Sequence, residues 1–570
     1  MTDTGGRWKS TLQTGLVWGV GAVFISLVGL VEALSQRQII VGIISVGHTL
    51  LFLTALGAGF RAARRQAVVG SLAVLAGGAT AGAIVGGFVA ALVALSKVVH
   101  LRAVLISASP ALFDLLSFGR GPGGSYLVVL AGAAAGVLGA TVLLLPAGPR
   151  RPILTGLGTV FVIGLFQELV QLLLQGEEDV RSRIRELFFT SDGLSLTGAV
   201  IVFALAIGVS LLWRRQRPRV QQRVGQLPAG QRRVLQIAGF VAGVAVILVV
   251  PLFAGLFLSQ VLVLVGLYTL MGLGLNLEVG FAGLLDIGFV AFFAIGAYTV
   301  GLLTTAGPLA IAHLSWWTAV PIAVVVSLIA GVLFGLPILG IRGDYLAIAT
   351  LGFGEIIRLL VLSDFLRPWL GGSQGVLAIP KPTLGSFEFR GPEQLFYLTV
   401  VASALVAFVA ARLRDSRLGR AWMALREDED VAEAMGINLV NIKLLAYGIG
   451  ATFAGVGGAI FAVMVGSIFP HSFGVLISIN VLALIIVGGM GSLPGVMVGS
   501  LALVGLPELL REFSDFRFLV YGAALIMMMQ LRPEGLWPAP AVKRELHEEV
   551  TEAELTREPA ELAGAKGSDS

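Results

Sequence analysis

The chain has 570 residues, of which 56% are hydrophobic and only 13% charged, with a mean hydropathy of +0.92 and a formal net charge of +5. A soluble domain carries about 25% charged residues, so this composition excludes a water-soluble fold and makes lipid the expected solvent. The absence of cysteine excludes disulfides, thiolate metal sites and cysteine nucleophiles.

The first apolar run, 11–32, follows Arg7 and Lys9. It is longer than the apolar region of a signal peptide, and Glu32-Ala33-Leu34-Ser35 is a poor cleavage site, so an uncleaved first span is expected. Five further spans are expected at 39–60, 68–96, 125–146, 153–174 and 195–213. A second series follows at 234–258, 260–276, 280–303, 317–340, 344–363, 394–411, 441–466, 474–492, 494–511 and 516–531. The segment 101–118, interrupted by Asp114, reads as an outer re-entrant or interfacial piece. The segment 344–363 carries Glu355 and Arg358 and reads as a span facing a protein interior.

Basic clusters fall at Arg61/Arg64/Arg65, Arg150/Arg151, Arg214–Arg233, Arg342 and Arg412–Arg420, always separated by an even number of spans. Basic loops mark the cytoplasmic side, so about sixteen crossings with both termini cytoplasmic are expected. The fold class is all-α, a polytopic transmembrane helical bundle with some broken or re-entrant helices. Its expected parts are an N-terminal membrane extension of about six spans at 1–213 and a basic cytoplasmic linker at 214–233. A domain of about ten spans follows at 234–538, then a charged cytoplasmic tail at 539–570. Gly78-x-x-x-Gly82-x-x-x-Gly86 and Gly132-x-x-x-Gly136 read as helix-packing faces, and as places where the N-terminal extension could dock.

Two motif matches fail on context. Gly119-Arg120-Gly121-Pro122-Gly123-Gly124 fits a dinucleotide fingerprint without the strand that should precede it. Gly371-Gly372-Ser373-Gln374-Gly375 fits a nucleophile elbow but sits in a loop between apolar runs. The five histidines are scattered without ligand spacing, so no metal site is expected. The sequence contains no G-x-x-x-x-G-K-[ST], so ATP hydrolysis by the P-loop route is not expected of this chain.

The polar stretch Arg417–Asn438, RLGRAWMALREDEDVAEAMGIN, lies between two apolar runs. Glu427, Asp428, Glu429 and Asp430 suit the start of a short helix, whose dipole they complement. Val431, Ala434 and Met435 then form a small apolar patch, and Gly436 suits the position after the helix. Such a helix can seat in a groove of a partner; a solvated loop that merely reverses the chain is the plainer alternative.

This stretch resembles the coupling loop of ABC importer membrane subunits, with Ala432-Glu433-Ala434 and Gly436 in the matching places. Gly274-Leu275-Asn276 through Gly280, Gly283 and Asp286 to Tyr298 resembles the signature of the LivM-type permease of branched-chain amino acid transporters. Arg342–Arg358, Gly371–Gly375 with Ile379-Pro380, and Gly488–Ser492 with Pro494-Gly495 resemble later motifs of that family, in the family's order. The resemblance covers about residues 235–538 and leaves 1–233 unmatched.

The resemblance implies a permease subunit in a bacterial or archaeal inner membrane. It forms the translocation pathway, calls for no cofactor, and has no catalytic site of its own. Its implied partners are a second membrane permease, two cytoplasmic ATP-binding subunits, an extracytoplasmic substrate-binding protein and a small-molecule substrate. Arg426, Glu427, Asp430, Ala432, Glu433, Ala434 and Gly436 would make up the ATPase-coupling loop. Asn276, Gly280, Gly283, Asp286, Tyr345 and Glu355 are candidates for the pathway, because ionisable groups within spans usually face a cavity or a partner. Structural pairing of Asp286 or Glu355 with Arg358 is the alternative. Gly274, Gly280 and Gly283 suit either a broken helix that exposes backbone groups to substrate or close helix packing. Branched-chain amino acids are the implied substrate, with urea, amides or small carboxylates as alternatives. An ion-coupled secondary transporter and an intramembrane enzyme are the competing classes; the first calls for charged pairs buried in repeated halves, the second for a catalytic constellation, and neither is evident.

Overall fold

The computed structural model describes residues 4–539, except for 36, 43, 68–69, 106, 122–123, 168–169, 172–178, 191–192, 226–227 and most positions from 510 to 533. The expected span at 516–531 and the charged tail therefore lie largely outside the described residues. The chain divides into two compact units, Met1–Ala242 and Gly243–Ser570.

The first unit is built on α1 (Thr4–Leu27), α2 (Val46–Gln66), α3 (Ser71–Val98), the short α4 (Pro110–Leu116), α5 (Gly124–Leu144), α6 (Ala147–Leu165) and α7 (Leu196–Gly225). The two glycine stripes pack on each other. A Cβ on Gly82 would collide with the carbonyl oxygen of Gly132, and one on Gly136 with that of Gly78. In hydrocarbon there is little hydrophobic drive between helices, so backbone approach of this kind holds α3 against α5. The stripes are thus occupied within this unit, which removes them as docking faces for it. The stretch 39–60 is not one helix: β1 (Gln38–Ile40) and β2 (Ile44–Ser45) pair antiparallel, and α2 begins only at Val46, where the Ser45 hydroxyl accepts from the His48 amide at 3.2 Å. With β3 (Phe189–Thr190) and β4 (Gly193–Leu194) they form a small sheet in the order β2-β1-β4-β3, β1 and β4 being parallel. The segment 101–118 holds only a single turn and the seven-residue α4, too short to cross a bilayer.

The basic stretch expected as a linker is mostly helical, shared between α7 and α8 (Ala229–Leu275). α8 is broken at Gly255, whose φ of 72° and ψ of 178° no helix allows. The Tyr397 hydroxyl donates to the Leu248 carbonyl at 2.9 Å, while Gly266 lies against Thr399 only two residues further along the same helix. A straight helix would set Leu248 and Gly266 about 27 Å apart, so the chain bends sharply at Gly255.

The second unit continues with α9 (Val290–Thr304), α10 (Trp316–Ile338), α11 (Asp344–Leu362), α12 (Pro392–Arg414), α13 (Arg417–Glu427), α14 (Glu429–Ala434), α15 (Leu439–Val465), α16 (Val475–Gly488) and α17 (Leu493–Ser500). α15 is its buried axis. Small residues let both neighbours approach: a Cβ on Gly458 would strike the Phe293 carbonyl of α9, and one on Gly331 of α10 would lie 2.5 Å from the Tyr447 carbonyl. Among the described residues eleven helices are long and apolar enough to cross a membrane, and Val290–Thr304 and Leu493–Leu509 are shorter apolar helices. The expected count of about sixteen is not reached among the described residues. The expected span 280–303 begins with a π turn and extended chain, which leaves α9 only 15 residues, and the expected 494–511 falls on the shorter Leu493–Leu509. The all-α polytopic class stands.

Candidate functional site: a gripped turn and a surface helix

The apolar helix α8 runs straight into a π-helical turn, Asn276–Phe281. A π turn leaves one residue out of the regular ladder and is a recurrent feature of functional sites. It ends at Gly283, whose φ of +72° would strain any residue with a side chain. The chain then runs extended to Gly288 before α9 begins.

Four other elements hold this turn. The Asn276 Oδ1 accepts from the Gly491 amide at 2.8 Å, fixing the Gly488–Ser492 loop. The Ile287 amide donates to the Thr350 hydroxyl of α11 at 3.0 Å, and the Val290 amide to the Ser478 hydroxyl of α16 at 2.9 Å. Arg426, in the last turn of α13, donates from Nη1 to the Gly280 carbonyl at 2.8 Å and lays its side-chain stem over Gly283. The Asp286 Oδ1 accepts from the Gly288 amide at 2.7 Å, which closes the turn. Asn276, Glu278 and Asp286 are all buried.

α13 begins where the Ser416 hydroxyl accepts from the amides of Leu418 and Gly419, and it is anchored by Trp422, whose Nε1 donates to the Ile442 carbonyl at 2.9 Å. Asp428 ends it and caps α14, accepting from the Val431 amide at 3.0 Å. Glu427 thus closes one helix, while Glu429 and Asp430 sit in the first turn of the next. α14 turns Ala432 inward and leaves Val431 and Met435 58% and 79% exposed. Gly436, at φ +88°, closes the helix with its amide on the Glu433 carbonyl at 2.9 Å. Arg342 bridges Glu429 at 3.2 Å and Asp430 at 3.0 Å. The Asp430 hydrogen bond and the Glu429 charge hold its guanidinium above the ordinary value. Beneath them the buried Lys443 ammonium donates to the Leu339 carbonyl at 3.2 Å and pairs with Glu429.

Asn276, Gly280, Gly283 and Asp286 come together in the turn, and Arg426 joins them from the other segment. Tyr345 and Glu355 do not. Tyr345 is 78% exposed in the first turn of α11, and Glu355 pairs with Arg358 on the same helix, Nε to Oε2 at 2.9 Å. Three residues of the turn and its surroundings were not singled out from sequence: Glu278, Thr350 and Tyr447. Glu278 had a usable signal, a carboxyl inside an apolar run eight positions before Asp286.

Spans of this length define a multi-spanning membrane protein, in which a buried turn is gripped from a surface segment that leads into an exposed helix with an apolar tip. The profile of the family described as branched-chain amino acid transport system / permease component matches residues 257–529. The chain is 42% identical over 298 residues to the high-affinity branched-chain amino acid transport system permease protein LivM of Salmonella typhimurium, covering 48% of this chain and 68% of that one. Over 339 residues it is 23% identical to the probable LivM permease of Methanocaldococcus jannaschii, covering 51% and 97%. Over 295 residues it is 25% identical to the LivH permease of Escherichia coli, covering 49% and 93%. No solved structure gives a significant match. The chain belongs to the branched-chain amino acid transport permease family of ABC importers, with an unmatched N-terminal extension.

Proposed function

We propose that this chain lines the uptake pathway for branched-chain or related amino acids, working beside a second permease. Two ATP-binding subunits drive it, and an extracytoplasmic binding protein delivers the substrate. The observation that carries this reading is the Arg426 bond to Gly280, which ties the surface segment to the buried turn. Val431 and Met435 present the apolar knob that docks on an ATPase. Asp428, Glu429 and Gly436 shape the helix that displays it, and Arg426 passes its displacement to Asn276, Gly280, Gly283 and Asp286. A rigid-body switch of this sort biases inward-facing against outward-facing forms. The docking segment and Arg342 then face the cytoplasm, as do both termini, and 1–213 forms an added membrane domain.

The test is uptake into proteoliposomes that hold the chain with its second permease, ATPases and binding protein. Leucine uptake requiring ATP inside and persisting with a proton uncoupler is expected. Uptake that runs without ATP and collapses with the uncoupler sinks the importer reading.

A further inference from the structure

Two carboxyl groups face each other inside the second unit, and among the described residues no basic side chain pairs with them. Glu278 is 0% exposed, and neither of its carboxyl oxygens meets a donor among the described residues. The side chain it faces is Asp286, 2% exposed. The basic groups of the surrounding elements are engaged elsewhere. Arg426 of α13 binds the Gly280 carbonyl, Lys443 of α15 binds Leu339 and Glu429, and Arg358 of α11 binds Glu355. α15 also contributes Tyr447, buried, with a hydroxyl that has no partner. α16 contributes Ser478, which is bonded to the Val290 amide.

Two carboxylates so placed cannot both stay ionised, because burial penalises each charge, each raises the cost of the other, and no basic side chain among the described residues pairs with them. The two are not equivalent. Asp286 accepts from the Gly288 amide, which favours its charged form, whereas Glu278 has no donor. We propose that Glu278 and Asp286 form a proton-binding site in the permease, with Glu278 as the acid that donates its proton to the Asp286 carboxylate. A cavity lined by Asp286, Thr350, Tyr447, Phe292, Phe334 and Phe353 lies alongside, with room for about one water. When the pair ionises fully, the proton passes from Glu278 to the Asp286 carboxylate, which lines the cavity, and from there to that water. The site sits in the turn that Arg426 grips, so two facing anions there would push on the backbone that, on the function proposed above, carries the ATPase stroke. Uptake accordingly fails at alkaline pH as the shared proton is lost.

Infrared spectroscopy of the full chain in the assembled transporter, at neutral pH, with and without sodium, tests this apart from transport. The carbonyl stretch of a protonated carboxyl is expected in both buffers, shifting on deuterium exchange. It disappears in Glu278→Gln and moves in Asp286→Asn. Absence of the band in the wild type, its survival in Glu278→Gln, or its appearance only after sodium is removed overturns the proposal; the last would mean that an alkali ion occupies the pair. Glu278→Gln mimics the protonated acid and keeps the wild-type melting temperature, with the alkaline fall in uptake abolished. An unchanged alkaline fall overturns the link to the stroke. If Glu278→Gln does not assemble, the Asp286→Asn spectrum decides: an unmoved band sinks the assignment.

Discussion

Arg426 reaches 146 positions back along the chain to hold the carbonyl of Gly280 at 2.8 Å, and its stem covers the positive-φ Gly283. One side chain therefore joins the helix that leads into the surface segment to the turn that holds Asn276 and Asp286. A hydrogen bond from a charged donor contributes about 1.5–3 kcal/mol, and roughly 1.4 kcal/mol is a tenfold change in an equilibrium. Arg426→Ala is expected to leave ATP hydrolysis running while amino-acid uptake falls at least about tenfold. Arg426→Lys, which can still reach the carbonyl, recovers part of it. Both rates are read in the same proteoliposomes. Proportional loss of the two would show that Arg426 only supports assembly.

The ion pairs around α14 differ sharply in burial, and their removal should differ in the same way. Arg342 is more than half exposed and holds two exposed or partly exposed carboxylates; such surface pairs are worth about 0–1 kcal/mol. The Lys443 side chain is 4% exposed and has the Glu429 carboxylate as its counter-ion. Glu429→Ala leaves that ammonium buried and unpaired, at a cost of about 3–5 kcal/mol. Thermal unfolding of the purified chain should thus drop by several degrees in Glu429→Ala and hardly at all in Arg342→Ala. The double variant Glu429→Leu with Lys443→Met should regain much of the loss, since replacing both partners by apolar groups is often neutral. Equal shifts in Glu429→Ala and Arg342→Ala would contradict the assignment.

How much of this was legible in the sequence depends on range. The membrane class and the surface helix were, because hydropathy and helix-end chemistry are local: Gly436 sits at the C′ position expected of it, and of the acidic run expected to start the helix Asp428 is the N-cap while Glu427 closes the helix before it. A break in this stretch was legible as the boundary between the expected spans 234–258 and 260–276, but its position at Gly255 was not, since nothing in the sequence distinguishes a glycine at φ 72° from its neighbours in regular helix. The same rule, an ionisable or polar residue in an apolar run, selected Asp286 and Glu355 alike. Long-range packing separated them: Asp286 is enclosed by α11 and α15, whereas Glu355 stays partly exposed and pairs with Arg358 on its own helix. Glu278 was passed over as one more letter of a motif, although it is among the most buried ionisable side chains described.

The approach of α9 and α10 to α15 gives a prediction about packing alone. An added Cβ at Gly458 meets the Phe293 carbonyl, a backbone atom that cannot rotate away. Overpacking of this kind costs about 1–3 kcal/mol. Gly352 of α11 has nothing within 4 Å of an added Cβ, so Gly352→Ala should be neutral or stabilising by up to about 1 kcal/mol. The detergent melting temperature of the isolated chain checks both. A Gly458→Ala variant as stable as Gly352→Ala would mean that α9 and α15 are further apart than described.

The exposed pair Val431 and Met435 carries the last prediction. Apolar side chains on a short polar segment outside the spans contribute little to this chain's own fold, so changing them should not unfold it. They are suited to a hydrophobic contact with another subunit, where central apolar anchors are worth about 2 kcal/mol or more on truncation. Met435→Glu is expected to keep the expression and melting temperature of the chain while reducing co-purification of the ATP-binding subunits by about tenfold or more. Gly436→Ala acts differently: a side chain at φ +88° costs about 1–2 kcal/mol and loosens α14 itself. It should weaken the same association while also raising hydrogen exchange at the amides of Met435–Asn438. If Met435→Glu retains its ATPase partners in full, α14 is a surface turn and the docking element lies elsewhere on the chain.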